Sequence, residues 1–222
     1  METTIGTEID LLDRCPRSKR PIDERGEVIT EEVRAVAREY GREFFDGDRL
    51  YGYGGYRYDG RWVPVAERFC EYYSLAEDAS VLDVGCAKGF LVKDLQVALP
   101  KGRVEGVDVS EYAIEHSEPE IKEQLRVACA SALPYPDDSF DLVLSINTIH
   151  NLPRDLCRQA LQEMMRVSRG PAFVTVDAWR DEEGHRRLMK WMLTAETYMS
   201  TADWKQFFVE AGYEGDYYWF FA

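Results

Sequence analysis

Val81-Leu82-Asp83-Val84-Gly85-Cys86-Ala87-Lys88-Gly89-Phe90 reads as a buried strand that stops abruptly, a tight turn of small residues and the start of a helix. Val81, Leu82 and Val84 are strand formers. Gly85, Ala87 and Gly89 let backbone come close to a ligand. Phe90, Leu91 and Leu95 begin an apolar helical face. A unit of this kind aims backbone N–H groups past the C-terminal end of its strand. Asp83 then restricts what can sit there. A carboxylate inside the strand repels the pyrophosphate that a dinucleotide would bring to this turn. The spacing is G-x-A-x-G rather than G-x-G-x-x-G. Lys88 is followed by glycine, so no Walker lysine box is present. A cationic adenosine derivative without phosphates meets these conditions, and a plain strand–helix turn with glycines for packing is the competing reading.

Downstream, strands and helices alternate. Strands are expected at 80–85, about 103–108, 125–129, 140–146 and 171–178, with helices at about 88–98, 110–122, 154–168 and 182–198 between and after them. That rhythm predicts right-handed crossovers and a parallel sheet with helices on both faces. Ser200-Thr-Ala-Asp203 opens a further helix with a start like a capping box, Gly212 ends it, and Tyr213–Phe221 reads as a final strand region. Asp108 closes the second strand, where a carboxylate can accept from both hydroxyls of a ribose or cap the next helix together with Ser110.

D-x-G-x-A-x-G after a strand resembles the first motif of the class I S-adenosylmethionine-dependent methyltransferases. Leu133-Pro-Tyr-Pro-Asp-Asp-Ser-Phe-Asp141 is similar to a loop of their small-molecule members, such as the ubiquinone/menaquinone type. The resemblance runs from Ser80 to the C-terminus. It implies an α/β, Rossmann-like, seven-stranded and mostly parallel sheet with helices on both faces and an antiparallel C-terminal edge strand. It also implies S-adenosylmethionine as cofactor, with Asp83, Gly85, Cys86, Ala87, Gly89, Asp108, Val109, Ala130, Ser131 and Asn147 around it. One departure stands out: Cys129 occupies the place where such enzymes carry an acid for the adenine amine, and a thiol is a poor acceptor.

The methyl acceptor is less legible. His150, in Ile146-Asn-Thr-Ile-His-Asn-Leu152, follows the fourth strand and titrates near neutrality as a general base should. It equally reads as a histidine bonding local backbone at a helix entrance. By analogy with small-molecule methyltransferases, Tyr51 or Tyr53 is its expected catalytic partner. The glycine-rich aromatic segment Leu50–Trp62 is expected to cover the active site or to pack on the sheet edge. Tyr56, Tyr58, Arg57, Arg61, Arg180 and Tyr198 are the candidate acceptor-binding residues.

Before that core, residues 1–75 read as an N-terminal arm, helices and the aromatic segment, joined to a core of 76–222 in one compact domain. Residues up to about 29 read as irregular. Thr30 caps a helix that runs to Gly41, and Pro64 opens another to about Tyr73. The formal charge of −14 argues against nucleic acid and anionic membranes as partners. The five cysteines are scattered without a C-x-x-C and the three histidines lie far apart, so no metal is expected. No signal-peptide-like stretch is visible, and a cytoplasmic protein is expected. The function implied is methyl transfer to oxygen or nitrogen of a small polar metabolite, with a homodimer compatible. A non-catalytic S-adenosylmethionine-binding or scaffold protein of the same fold is the alternative.

Overall fold

The computed structural model describes residues 4–16, 20–54 and 57–222. Helices α1 (Ile22–Val28), α2 (Glu31–Ala37), α3 (Arg42–Asp46) and α4 (Val63–Tyr72) precede the first strand. Then β1 (Ser80–Val84), α5 (Phe90–Ala98), β2 (Arg103–Asp108), α6 (Glu111–Glu115) and β3 (Leu125–Val127) follow in turn. The chain continues through β4 (Leu142–Ile146), α7 (Arg154–Val167), β5 (Ala172–Trp179), α8 (Glu182–Trp191), β6 (Met199–Ser200), α9 (Thr201–Ala211) and β7 (Asp216–Phe220). The strands form one seven-stranded sheet in the order β3-β2-β1-β4-β5-β6, with β7 also paired to β5.

Alternation along the strands builds two cores. Val81, Leu142, Leu144 and Phe173 point to one face, under α4 and α5. Leu82, Val84, Val143, Val174 and Val176 point to the other, against the buried side of α7 and α9 that carries Leu161, Met164, Trp204 and Phe208. β1 and β4 are therefore buried on both faces, as in sheets whose crossovers are helical. The order reverses between β1 and β4, where β1 pairs β2 on one side and β4 on the other. A crevice opens at their C-terminal ends.

Several expectations are corrected. The C-terminal strand is parallel, not antiparallel: Phe173 faces Asp216 and Asp177 faces Phe220 in rising register. The reason is α9, which lies between β6 and β7 and returns the chain to the same end of the sheet before it re-enters. The helix expected over 110–122 stops at Glu115, and Pro119 opens a 3₁₀ turn to Gln124 because proline cannot continue an α-helix. The helix expected over 182–198 ends at Trp191. Beyond it, the N–H groups of Glu196 and Thr197 donate to the His150 carbonyl instead of to their own helix.

Residues 5–12 are not a loose arm. Ile9 N–H donates to the Tyr217 carbonyl and Tyr217 N–H to the Thr7 carbonyl, each at 3.0 Å, which extends the sheet beyond β7. Leu11 is fully buried in the core under α4. The first helices are locked down by Arg25. This buried guanidinium donates to the carbonyls of Trp191, Arg49 and Gly52 at 3.3, 3.1 and 3.2 Å. Its ring neighbours are Tyr53 and Trp191, 5.4 and 4.8 Å from the guanidinium carbon.

Replacing Arg25 by methionine keeps the stem and strands the three carbonyls. Urea unfolding is expected to show a loss of about 2–4 kcal/mol. Limited proteolysis is expected to move to the segment around residues 46–54; unchanged stability contradicts the locking role.

Candidate functional site

The crevice at the switch point opens into a cavity of about 710 Å³. Its base is the turn after β1. Gly85, Ala87 and Gly89 all adopt left-handed φ values, +86°, +50° and +77°. A Cβ on Gly85 would stand 2.1 Å from the Thr148 side chain, so only glycine fits between this turn and the end of β4. β2 holds the turn from the other side. The Val107 carbonyl accepts from the N–H groups of both Gly85 and Cys86, at 2.7 and 3.0 Å. Asp108 Oδ2 accepts from Ala87 N–H at 2.8 Å, and its Oδ1 accepts from Ser110 N–H at 2.8 Å. The carboxylate of Asp108 is thus fixed at the cavity wall with lone pairs to spare on each oxygen.

Asp83 is different. It lies in β1 with 4% of its surface exposed, and no hydrogen-bond donor among the described residues reaches its carboxylate. Burial, with the nearby charge of Asp108, raises its pKa to about 7. Lys88, the one base in the turn, is buried at the cavity wall and paired: its ammonium bonds both oxygens of Asp46 on α3 at 2.7 Å.

Along the wall, Ala128, Cys129 and Ala130 follow β3, with Val109 beside them. Cys129 Sγ lies 3.1 Å from Ser131 Oγ, which ties the thiol to its neighbour. Asn147, also left-handed at φ +52°, donates its N–H to Thr175 Oγ at 2.9 Å and accepts from that hydroxyl through Oδ1 at 2.9 Å. The far end is made by His150, Asp177, Tyr53, Trp191, Thr194 and Glu196. His150 is buried, and both its ring nitrogens face Asp177. Nδ1 accepts the Asp177 N–H at 3.4 Å, and Nε2 lies 3.5 Å from Oδ1. Burial lowers the His150 pKa, partly opposed by Asp177. Burial likewise raises that of Asp177.

Asp83, Gly85, Cys86, Ala87, Asp108, Val109, Ala130, Asn147, His150, Tyr53 and Arg61 all line the cavity. Gly89 and Ser131 stand just behind the wall. Gly89 starts α5, and a Cβ there would meet Ile121 and Leu125. Tyr53 accepts from Leu193 N–H at 2.7 Å through its phenol oxygen. Arg61 is paired with Asp59 at 2.6 Å.

Others lie elsewhere. Tyr51 packs among Val33, Ala37 and Phe44. Arg57 is exposed. Tyr58 donates to the buried Asp94 of α5 at 2.7 Å, and Tyr198 is exposed beside Trp179. Arg180 bonds Glu8 at 3.1 Å. None of these five lines the cavity. Tyr56 lies outside the described residues.

Five cavity residues escaped the sequence reading. Asp177 gave the same signal as Asp83, an acid near the end of an apolar strand. Tyr40 lines the cavity at φ +49°, a conformation rare outside glycine. Phe44, Phe45 and Arg49 roof the site from before the aromatic segment, and no local signal marked them.

The donor set suits a cationic, unphosphorylated adenosine derivative. It offers two carboxylates beside a glycine-built turn and a left-handed backbone that a side chain would block.

Residues 81–170 match the family of methyltransferase domains. Among curated proteins, the chain is 27% identical to a demethylmenaquinone methyltransferase of Symbiobacterium thermophilum, over 69% of this chain and 62% of that protein. It is 32% identical to a tRNA (carboxymethyluridine(34)-5-O)-methyltransferase of Arabidopsis thaliana, over 63% of this chain and 33% of that protein. An arginine-hydroxylase of Rattus norvegicus is 34% identical over 38% of this chain and 26% of that protein. The chain spans between 26% and 62% of the length of the curated relatives it matches. The solved structure of YcgJ from Bacillus subtilis shares the fold, with a TM-score of 0.53 at 21% identity over 66% of each chain.

Asp83→Asn removes the penalty of an ionised, unpaired acid. With the folded pKa near 7, above the ordinary aspartate value of 3.8, that penalty is absent in acid, grows as pH rises through this window and is complete above it. The ligand-free variant is therefore expected to exceed the parent in stability by up to about 4 kcal/mol at pH 8. The gain should vanish toward pH 4. Denaturant unfolding at several pH values checks this; a gain independent of pH contradicts it.

Proposed function

We propose, from the premise that this chain is a class I S-adenosylmethionine-dependent methyltransferase, that it methylates oxygen or nitrogen of a small polar metabolite. A sugar, a nucleotide sugar or a secondary-metabolite precursor belongs to that class. The observation that supports the acceptor class is the roof: residues before α4, among them Phe44, Arg49 and Tyr53, cover a cavity that already holds the cradle at one end and polar groups at the other. A cavity of this size suits small molecules.

When bound, S-adenosylmethionine supplies a methyl group already activated by its sulfonium. This chain's residues have the tasks of holding and drying. Asp108, fixed by two backbone N–H groups, has free lone pairs for the ribose hydroxyls. Asp83 offers its charge to the cationic end. Ala130 contributes backbone at the adenine edge, and Cys129, tied to Ser131, leaves the amine without an acid partner. Phe44, Phe45 and Trp191 exclude water. Correct alignment alone is worth ~7–11 kcal/mol of a bimolecular barrier. Proton removal adds a typical ~10²–10⁴-fold. The similar proteins act, by their names, on demethylmenaquinone and on a tRNA. The surplus of 41 acids over 27 Lys and Arg disfavours a polyanion here.

The test is turnover. The protein is incubated with S-adenosylmethionine and a panel of sugars, nucleotide sugars, amines, a quinone precursor and tRNA, and S-adenosylhomocysteine is measured. Formation with small polar acceptors is expected. Turnover confined to tRNA or quinone contradicts the acceptor class, and tight NAD binding without S-adenosylmethionine binding contradicts the whole reading.

Asp108→Ala is expected to weaken S-adenosylmethionine by about 1–3 kcal/mol through lost charged hydrogen bonds. An unchanged dissociation constant by calorimetry refutes the ribose role.

A further inference from the structure

Asp177 is a buried acid that the cradle does not use. It lies toward the C-terminal end of β5 with 4% of its surface exposed, and it lines the far end of the cavity. No Lys or Arg among the described residues comes within ion-pairing distance of its carboxylate; the partner at 3.5 Å is His150. Because His150 Nδ1 accepts the Asp177 N–H, the imidazole proton belongs on Nε2, facing the carboxylate. Neither ring nitrogen is then turned to a ligand. The neutral ring orients the acid without cancelling its charge. Arg20 acts on Asp177 from further away. Its guanidinium lies 4.3 Å from the Phe220 ring centre and donates to the Phe221 carbonyl at 2.9 Å.

We infer that this end of the cavity is a subsite for a protonated amine, so that the methyl acceptor carries a primary or secondary ammonium held by Asp177, with His150 as a positioning residue. The inference rests on the methyltransferase reading and narrows its acceptor. A buried carboxylate without a cation costs several kcal/mol. A neutral hydroxyl donor leaves that charge in place, whereas an ammonium removes it. Of the three arginines expected to bind the acceptor, Arg57 and Arg180 lie off the cavity and Arg61 is paired with Asp59; Arg20, Arg38 and Arg49 line the cavity as well.

The experiment titrates methylammonium chloride into the protein saturated with S-adenosylhomocysteine. The His150 imidazole and Trp191 indole signals are followed by NMR, with acetate and methanol as controls. Saturable shifts with methylammonium alone are expected, weakened at least about tenfold in Asp177→Asn. Asp177→Ser serves should that variant not fold. Absence of a saturable shift, equal binding by the variant, or binding of acetate instead overturns the inference. So does a variant that loses S-adenosylmethionine but keeps S-adenosylhomocysteine, because the acid then serves the sulfonium. Calorimetry on the same sample separates the two levels. No S-adenosylhomocysteine binding ends the methyltransferase reading, while binding of it without methylammonium ends only the amine subsite.

Discussion

Buried negative charge at the C-terminal ends of parallel strands is the constraint on which this molecule turns. Asp83, Asp108 and Asp177 stand near the ends of β1, β2 and β5 in one sheet and line one cavity. They are compensated unequally. Asp108 has two backbone N–H donors, Asp177 has a neutral imidazole and a backbone contact to it, and Asp83 has neither. A chain that folds around such groups tolerates several kcal/mol per unpaired charge. The cost makes sense when a ligand brings positive charge to carboxylates that, among the described residues, form no ion pair with Lys or Arg.

The rest of the fold makes that tolerable. β1 and β4 are covered on both faces, so their valines, leucines and isoleucine add apolar burial. The turn after β1 is fixed by the Val107 carbonyl below and by Asp108 beside it, so its backbone does not relax away from a ligand. Above, Arg25 ties α1 to the end of α8 and to the aromatic segment, which holds the roof over the cavity. Lys88 would cancel the negative field if it turned inward. Asp46 on α3 pairs with it instead, so the roof also sets the charge of the floor.

The cradle was legible because its chemistry is local in sequence. Asp83, the small residues after it and Asp108 lie in two neighbouring strand–turn units whose pattern resembles one cofactor motif, and the alternation of strands and helices gave the sheet. The far end was not legible because it is assembled from distant segments. Tyr40, Tyr53, His150, Asp177 and Trp191 meet only once the chain has folded. Asp177 could have been found, since an acid in the run Ala172–Trp179 breaks the apolar pattern as Asp83 does in its own strand. The direction of β7 was not legible either: it is set by β6, a two-residue strand parallel to β5 that the sequence did not announce, followed by α9.

If Asp83 is held near half-protonation at pH 7 and the ligand arrives with positive charge, binding must drive the acid toward its ionised form. Calorimetric titration with S-adenosylmethionine at pH 7, in buffers of different ionisation enthalpy, counts the protons exchanged. Net proton release that disappears in Asp83→Asn is the result this account predicts. Proton uptake, or release unchanged by that substitution, contradicts it.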